Sequence, residues 1–278
     1  MFEALVLLLR GQPLATLGDN TALVAAWLLA LTLPPLAPWW IAGIGSAAAM
    51  LLGKHVFGGI GANPFNPAMV GYALLLVSFP REMTAWLQPA LFDASVSASV
   101  IGPGFDAITG ATPLDRLREV GGDGAQLGSD SPPWQGWFGS YAWEWVNAGF
   151  LLGGLALLYL RVISWHIPVA MLTGLGSCYL VSWLIPGGST LSPAFGLFSG
   201  AAMLGAFFIA TDPVSAAASR NGRLFYAAGI GLLTYLIRQF GGYPEGIAFA
   251  VLLMNCAAPA IDHYGNRWQR AHDNRRSK

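Results

Sequence analysis

The amino-acid sequence predicts an all-α integral membrane protein, an inverted-repeat bundle with broken helices and about eight spans. Three observations lead there. Of the 278 residues, 55% are hydrophobic and only 10% are charged, whereas a soluble domain carries about 25% charged residues. The apolar residues gather into stretches of membrane length or somewhat less, separated by breaks rich in Gly, Pro and Asn. Those breaks recur at matching places in two halves of the chain, which is the mark of a transporter-like fold.

A helix needs about twenty apolar residues to cross the hydrocarbon core, fewer where neighbours shield it. Thr21–Leu33 is the first candidate and Pro38–Gly53 the second. They are followed by the break Phe57-Gly-Gly-Ile-Gly-Ala-Asn63-Pro64-Phe65-Asn66-Pro67. Its glycines permit unusual backbone angles, and its prolines remove donors and end the preceding helix. Asn66 reads as an N-cap with Pro67 in the first turn, opening the span Pro67–Pro80. Beside that capping role, freed backbone groups at such a break can line a polar cavity, so Asn63 and Asn66 are candidate ion or cavity residues.

Tyr141–Leu160, His166–Ile185 and Phe195–Thr211 follow. The last of these closes on Thr211-Asp212-Pro213-Val-Ser215, which ends an apolar run with a carboxylate. Ionisable groups at membrane depth are costly and usually functional; near the membrane boundary, capping the next turn would suffice. Asp212 is thus the third candidate ion or cavity residue. Arg223–Phe240 and Gly246–Ile261 complete the set, joined by Gly241-Gly-Tyr243-Pro244-Glu245, where Glu245 favourably opens a helix.

The repeat is visible when Thr21-Ala-Leu-Val-Ala-Ala-Trp-Leu-Leu-Ala-Leu-Thr32-Leu-Pro34 is laid over Gly200-Ala-Ala-Met-Leu-Gly-Ala-Phe-Phe-Ile-Ala-Thr211-Asp-Pro213. Gly58-Gly59 with Asn63-Pro64 and Ala68 matches Gly241-Gly242 with Tyr243-Pro244 and Ala248 at a similar offset, about 180 residues. Five spans separate the two starts, and an odd number inverts the second unit. The second unit has five helices and the first shows three, with Phe2–Leu9 matching the region around Trp183. One helix and most of another are therefore expected to be missing at the amino end, and Glu3 is not expected to be a buried functional acid. Four regions result: 1–80 as an incomplete first repeat, 81–140 as a loop, 141–262 as the second repeat, and 263–278 as a basic tail.

Charge sets the orientation. With the tail cytoplasmic, Arg10, Lys54, Arg161, Arg220, Arg223, Arg267, Arg270, Arg275, Arg276 and Lys278 lie inside, ten of the fourteen cations. Arg81, Arg116, Arg118 and Arg238 lie outside, with the 81–140 loop. The net charge is zero, so nothing suggests a nucleic-acid partner. Cys178 and Cys256 sit in apolar runs and read as small core residues. His55, His166, His263 and His272 are scattered, so no metal site is expected.

The outer loop of about sixty residues is too long to be a mere connector. It carries Asp106-Ala-Ile-Thr109-Gly110-Ala111-Thr112-Pro113, in which the small Gly110 and Ala111 leave the Thr112 hydroxyl accessible. Thr112-Pro-Leu-Asp115 also reads as a helix start, with Thr112 as N-cap, Pro113 as first residue and Asp115 as the acid three positions on. A helix amino end also receives phosphate well, and Arg116 and Arg118 lie within two turns. The two readings are compatible. Thr109 is the other possible acceptor, but it is followed by Gly-Ala rather than by proline and a helix.

The chain resembles the D subunits of the Rnf electron-transport complex, a family related to the B subunit of the sodium-translocating NADH:quinone oxidoreductase. The likeness is densest at Gly58-Gly-Ile-Gly-Ala-Asn-Pro-Phe-Asn-Pro-Ala-Met-Val-Gly71, Asp106-Ala-Ile-Thr-Gly-Ala-Thr-Pro-Leu-Asp115, Ala210-Thr-Asp-Pro-Val-Ser215 and Leu236-Ile-Arg-Gln-Phe-Gly-Gly-Tyr-Pro-Glu-Gly-Ile-Ala-Phe-Ala250. The resemblance implies FMN joined to Thr112 through a phosphoester by a periplasmic flavin transferase that uses FAD. Asp106, Thr109, Gly110 and Ala111 are then its recognition elements. It further implies a bacterial inner-membrane protein of ten spans, the first two absent or truncated here, working with iron–sulfur and flavin subunits. The complex couples electron transfer between NADH and ferredoxin to ion movement, and a second, non-covalent flavin belongs to the same expectation without a located site. The sequence has no Cys cluster for iron–sulfur ligation and no dinucleotide fingerprint. A channel or secondary transporter with inverted repeats and no redox cofactor is the alternative, and a cofactor-free structural scaffold a third reading.

Overall fold

Short polar signals start most of the helices, and the apolar runs extend them. The computed structural model describes residues 2–59, 61–87, 111–119, 141–185 and 191–276. In chain order the helices are α1 (Phe2–Leu9), α2 (Thr21–Thr32), α3 (Trp39–Ala48), α4 (Pro67–Ser78), α5 (Pro113–Glu119), α6 (Tyr141–Tyr159), α7 (His166–Leu184), α8 (Pro193–Phe198), α9 (Ala202–Leu204), α10 (Arg220–Phe240) and α11 (Ile247–Arg276), with a single helical turn, Pro80–Met83, directly after α4. A 3-10 turn, Leu14–Asp19, precedes α2. Two helices loosen into π turns, α3 through Ala49–Lys54 and α9 through Gly205–Ile209. No β-strand occurs among the described residues.

Proline in the first turn needs no N–H partner, and a polar residue before it supplies the cap. Asn66 caps α4 by accepting from the Met69 N–H at 3.2 Å. Ser192 does the same for α8 from Phe195 at 3.2 Å. Ser219 accepts from Gly222 at 3.1 Å, which starts α10 at Arg220 rather than at the expected Arg223.

Among the described residues, three helical stretches are long and apolar enough to cross a membrane: Trp39–Phe57, His166–Leu184 and Ile247–Gly265. Thr21–Thr32 and Pro67–Ser78 are shorter apolar helices. One expectation needs correction: Phe195–Thr211 is not a continuous span. It breaks between α8 and α9, where Gly200 takes φ 59. Nothing in the run Phe-Gly-Leu-Phe-Ser-Gly-Ala-Ala announces that turn, because its partners lie far along the chain.

Backbones approach closely where small residues face each other, the usual route to tight helix contact in lipid. A Cβ at Gly231 would lie 2.4 Å from the Met171 carbonyl oxygen and 2.6 Å from the Leu175 nitrogen. α7 and α10 are thereby pressed together over a core containing Met171, Leu175, Tyr226 and Ile230. Gly71 of α4 meets the Gly45 carbonyl of α3 in the same way, with 2.5 Å to a hypothetical Cβ. The outer surface is apolar, with Leu8, Leu23, Trp27, Leu152, Phe225 and Leu253 all exposed. Hydrocarbon, unlike water, tolerates such a surface. That surface also corrects the cysteines: Cys178 is half-buried and Cys256 exposed, so neither belongs to the core.

Gly231→Ala should therefore destabilise the α7–α10 pair by about 1–3 kcal/mol, the usual cost of overpacking. Gly149→Ala, at a position with nothing within 4 Å, should be neutral or mildly stabilising. Thermal unfolding of the detergent-solubilised chain distinguishes the two variants.

Candidate functional site

Two cavities lie at successive depths in the bundle, and between them they gather the polar residues of the helix breaks. Thr112 stands at the second cavity. Its hydroxyl donates to the Asp115 carboxylate at 2.6 Å, its N–H donates to the same oxygen at 2.9 Å, and the Asp115 N–H donates back to the hydroxyl at 3.2 Å. This is the expected reciprocal cap, with Pro113 first in the helix. Leu114 and Leu117 are buried in the main core, so α5 is docked onto the bundle. Arg118 reaches the Gly241 carbonyl rather than Thr112. Ala111 adjoins Thr112 and is half-buried; Asp106, Thr109 and Gly110 lie outside the described residues.

The cavity beside Thr112 measures about 280 Å³ and is lined mainly by apolar and aromatic groups, among them Tyr72, Trp86, Trp143 and Phe150. Trp86 and Trp143 meet edge to face at 5.6 Å. Glu245 is the carboxylate in the wall. It opens α11 as expected, accepting from the Gly246 and Ile247 N–H groups at 3.1 and 3.3 Å. It also accepts from the Ala201 N–H at 2.8 Å and pairs with Arg238 at 3.1 Å. Arg238, only 3% exposed, donates onward to the carbonyls of Gly196 and Ser199 at 2.8 and 3.2 Å. Asn147 of α6 donates to the Phe198 and Gly200 carbonyls at 3.0 Å each. These side chains satisfy the α8–α9 break. They also explain Gly200, since a Cβ there would fall 1.9 Å from the Glu245 carboxylate.

The first cavity, about 340 Å³, brings together all three residues singled out at the breaks, Asn63, Asn66 and Asp212. Asn66 caps α4 with its oxygen and donates its amide to the Ile209 carbonyl, at the end of the second π turn, at 3.3 Å. Asn63 donates to the Phe65 carbonyl at 3.0 Å. Asp212 accepts from the Val214 N–H at 3.2 Å and the Ser215 hydroxyl at 2.7 Å, so it orders its own turn as well as facing the cavity. With its amide oriented by its neighbours, Asn255 accepts from the Asn66 N–H at 2.9 Å and donates to the Val251 carbonyl at 3.2 Å.

Lys54 also lines this cavity, at the end of the first π turn. It pairs with Glu3, which is 2% exposed. Glu3 is thus a buried, partnered acid, contrary to expectation, because α1 folds back against the π turn. Lys54 also donates to the Thr21 hydroxyl at 2.7 Å and lies 3.9 Å from Asp19. His55 Nε2 lies 3.9 Å from the Glu3 carboxylate, with both ring nitrogens buried and unbonded. Burial opposes ionisation of Asp19, yet the hydroxyl and N–H of Thr21, together with Lys54, hold its carboxyl below the ordinary value. The sequence reading missed this cluster. Its only local sign is a lysine closing an apolar run.

The chain passes both cavities in opposite directions. α2 lines the first at Val24 and Leu28 and the second at Leu31 and Thr32, whereas 200–211 lines the second at Gly200 and Leu204 and the first at Phe207 and Thr211. A thin layer separates them: Asn66 and Phe207 face one side, Met69 and Ile209 the other, each no more than 3% exposed. No cluster of three potential metal ligands exists among the described residues.

The profile of the NQR2, RnfD, RnfE family matches residues 1–269. The D subunit of the ion-translocating oxidoreductase complex of Alcanivorax borkumensis is 52% identical over 270 residues, covering 94% of this chain and 79% of the relative. The proteins of the same name from Yersinia pestis and Vibrio cholerae serotype O1 are each 48% identical, covering 94% of this chain and 81% of their own length.

Lys54→Met should lower thermal stability by roughly 3–5 kcal/mol, because it strands a buried carboxylate. The double variant Glu3→Leu/Lys54→Met should recover most of the loss. A double-mutant cycle on the solubilised chain measures both.

Proposed function

The chain belongs to the NQR2, RnfD, RnfE family, and we propose that this membrane subunit of an ion-translocating oxidoreductase complex carries electrons on FMN joined to Thr112. The observation that bears this reading is a threonine hydroxyl held by Asp115 in the lining of an aromatic cavity. Ligand pockets begin at about 300 Å³, close to the size of this one. Tyr72, Trp86 and Trp143 offer flat apolar walls to an isoalloxazine ring. Thr112 supplies the ester oxygen, and the Asp115 N–H already points at that oxygen. The Asp115 carboxylate must leave the hydroxyl on esterification, and Arg116 is the nearby cation for the added charge. FMN supplies reversible electron uptake and release; the protein's part is binding, orientation and electrostatic tuning.

The distribution of cations supports a periplasmic position for the Thr112 face, within reach of a flavin transferase that takes FMN from FAD. It supports a cytoplasmic carboxyl end in a bacterial inner membrane. Electrons would pass between this chain and the iron–sulfur and flavin subunits of the complex, on a route joining NADH and ferredoxin. Ion movement is assigned to the first cavity and the layer behind it, where Asn63, Asn66 and Asp212 supply polar groups. The opposed courses of α2 and 200–211 support the inverted repeat. They fit a channel or secondary transporter equally well, so the cofactor decides between the readings.

Denaturing gels of protein matured with the transferase should show a fluorescent flavin band that is lost in Thr112→Ala and kept in Thr109→Ala. A wild-type chain without that band, and without added FMN mass, would sink the redox reading. Asn66→Ala and Asp212→Asn should keep the band and lose at least about tenfold in ion transport, beyond the ~1 kcal/mol cost of a lost cap; vesicle flux assays read this directly.

A further inference from the structure

Three arginines gather at the end of the bundle opposite Thr112, where α10 begins and α6 turns into α7. Arg161 is exposed in that turn, at φ 57. Arg220 donates its Nε to His166 Nε2 at 2.8 Å, a neutral partner. Arg223 donates to the Ala217 carbonyl at 3.3 Å and reaches the Ser164 hydroxyl at 3.5 Å. Asp262, the carboxylate beside the start of α10, is committed elsewhere: it accepts from the Ala218 and Ser219 N–H groups at 2.8 and 3.0 Å and from the Ser219 hydroxyl at 2.9 Å. Among the described residues no Asp or Glu lies within 4.0 Å of any of the three guanidinium groups.

Directly beside these cations the surface is hydrocarbon-like. Leu160, Val162 and Phe225 are exposed, and Trp165 is half in the open while stacked on His166 at 4.1 Å. Tryptophan at a basic edge is the usual anchor of a membrane–water boundary. Unneutralised cations at that level, continuous with an apolar face, present one kind of complementarity. They can take a phosphodiester by paired N–H donors, while the acyl chains lie along the adjoining helix surface. An acidic protein surface would match the charge but not the exposed leucine, valine and phenylalanine beneath it.

We propose that Arg161, Arg220 and Arg223 form a headgroup site for an anionic phospholipid. The site is independent of any flavin, so it stands or falls apart from Thr112. Retention of phosphatidylglycerol against phosphatidylcholine can be measured by native mass spectrometry of the full chain released from mixed nanodiscs. Arg161→Gln/Arg220→Gln/Arg223→Gln should lower phosphatidylglycerol retention by roughly tenfold or more. The triple Lys variant should keep most of it, and Arg81→Gln should leave it unchanged. Arg161→Gln alone, which breaks no hydrogen bond seen in the fold, should reduce retention several-fold and covers the case of a misfolded triple variant. Equal retention in wild type and Gln variants, equal retention of the two lipids, or loss of a bound protein partner with lipid unchanged would each overturn the proposal.

Discussion

A broken helix inside hydrocarbon exposes N–H and C=O groups that lipid cannot satisfy, and this constraint governs the arrangement of the whole bundle. Two of the breaks are answered by side chains from distant parts of the chain, and the third by its own turn. Asn66 bridges the start of α4 to the Ile209 carbonyl, with Asn255 behind it. Asn147, Arg238 and Glu245 together hold the α8–α9 turn. Asp212 closes its own turn with Ser215. The polar residues at membrane depth are therefore first of all the means by which non-helical backbone can exist there. The cavities follow, because a broken helix leaves space beside its ends.

That economy links structure to the proposed chemistry. The carboxylate that completes the α8–α9 turn also forms part of the wall beside Thr112, so the electrostatics of the aromatic cavity are set by residues the fold already requires. The Lys54–Glu3 pair has a similar double character. It joins α1 to the π turn and places fixed charge at the edge of the first cavity. π turns are frequent where a helix must redirect side chains toward a site, and both of those found here border that cavity, through Met50 and Lys54 in one case and Phe207 and Phe208 in the other.

Much of this was readable from the residues, where the physics is local. Asn66-Pro67, Thr112-Pro-Leu-Asp115 and Glu245-Gly246 each encode a helix start within a few positions, and each forms as expected. The meeting of Asn63, Asn66 and Asp212 at one cavity is a tertiary fact, since the repeat aligns Asn63 with Tyr243 rather than with Asp212. Other features had no local signature. Lys54 and Glu3 are separated by 51 positions, and neither residue announces the other. The interruption at Gly200 is hidden in an apolar run because the groups that stabilise it, Arg238 and Glu245, come from the α10–α11 corner. Nor can periodicity reveal a π turn, which changes the winding of a helix without changing its composition.

The thinness of the layer between the cavities has an electrical consequence. With each cavity open to water on its own side of the membrane, the potential of each compartment would reach inward, and Asn66, Met69, Phe207 and Ile209 would bear most of the voltage across the bilayer. A unit charge traversing the full voltage gains or loses about 2.3 kcal/mol per 100 mV. Concentrated over so short a distance, that field would act on a charge moving past a few side chains almost as strongly as on one crossing the whole membrane.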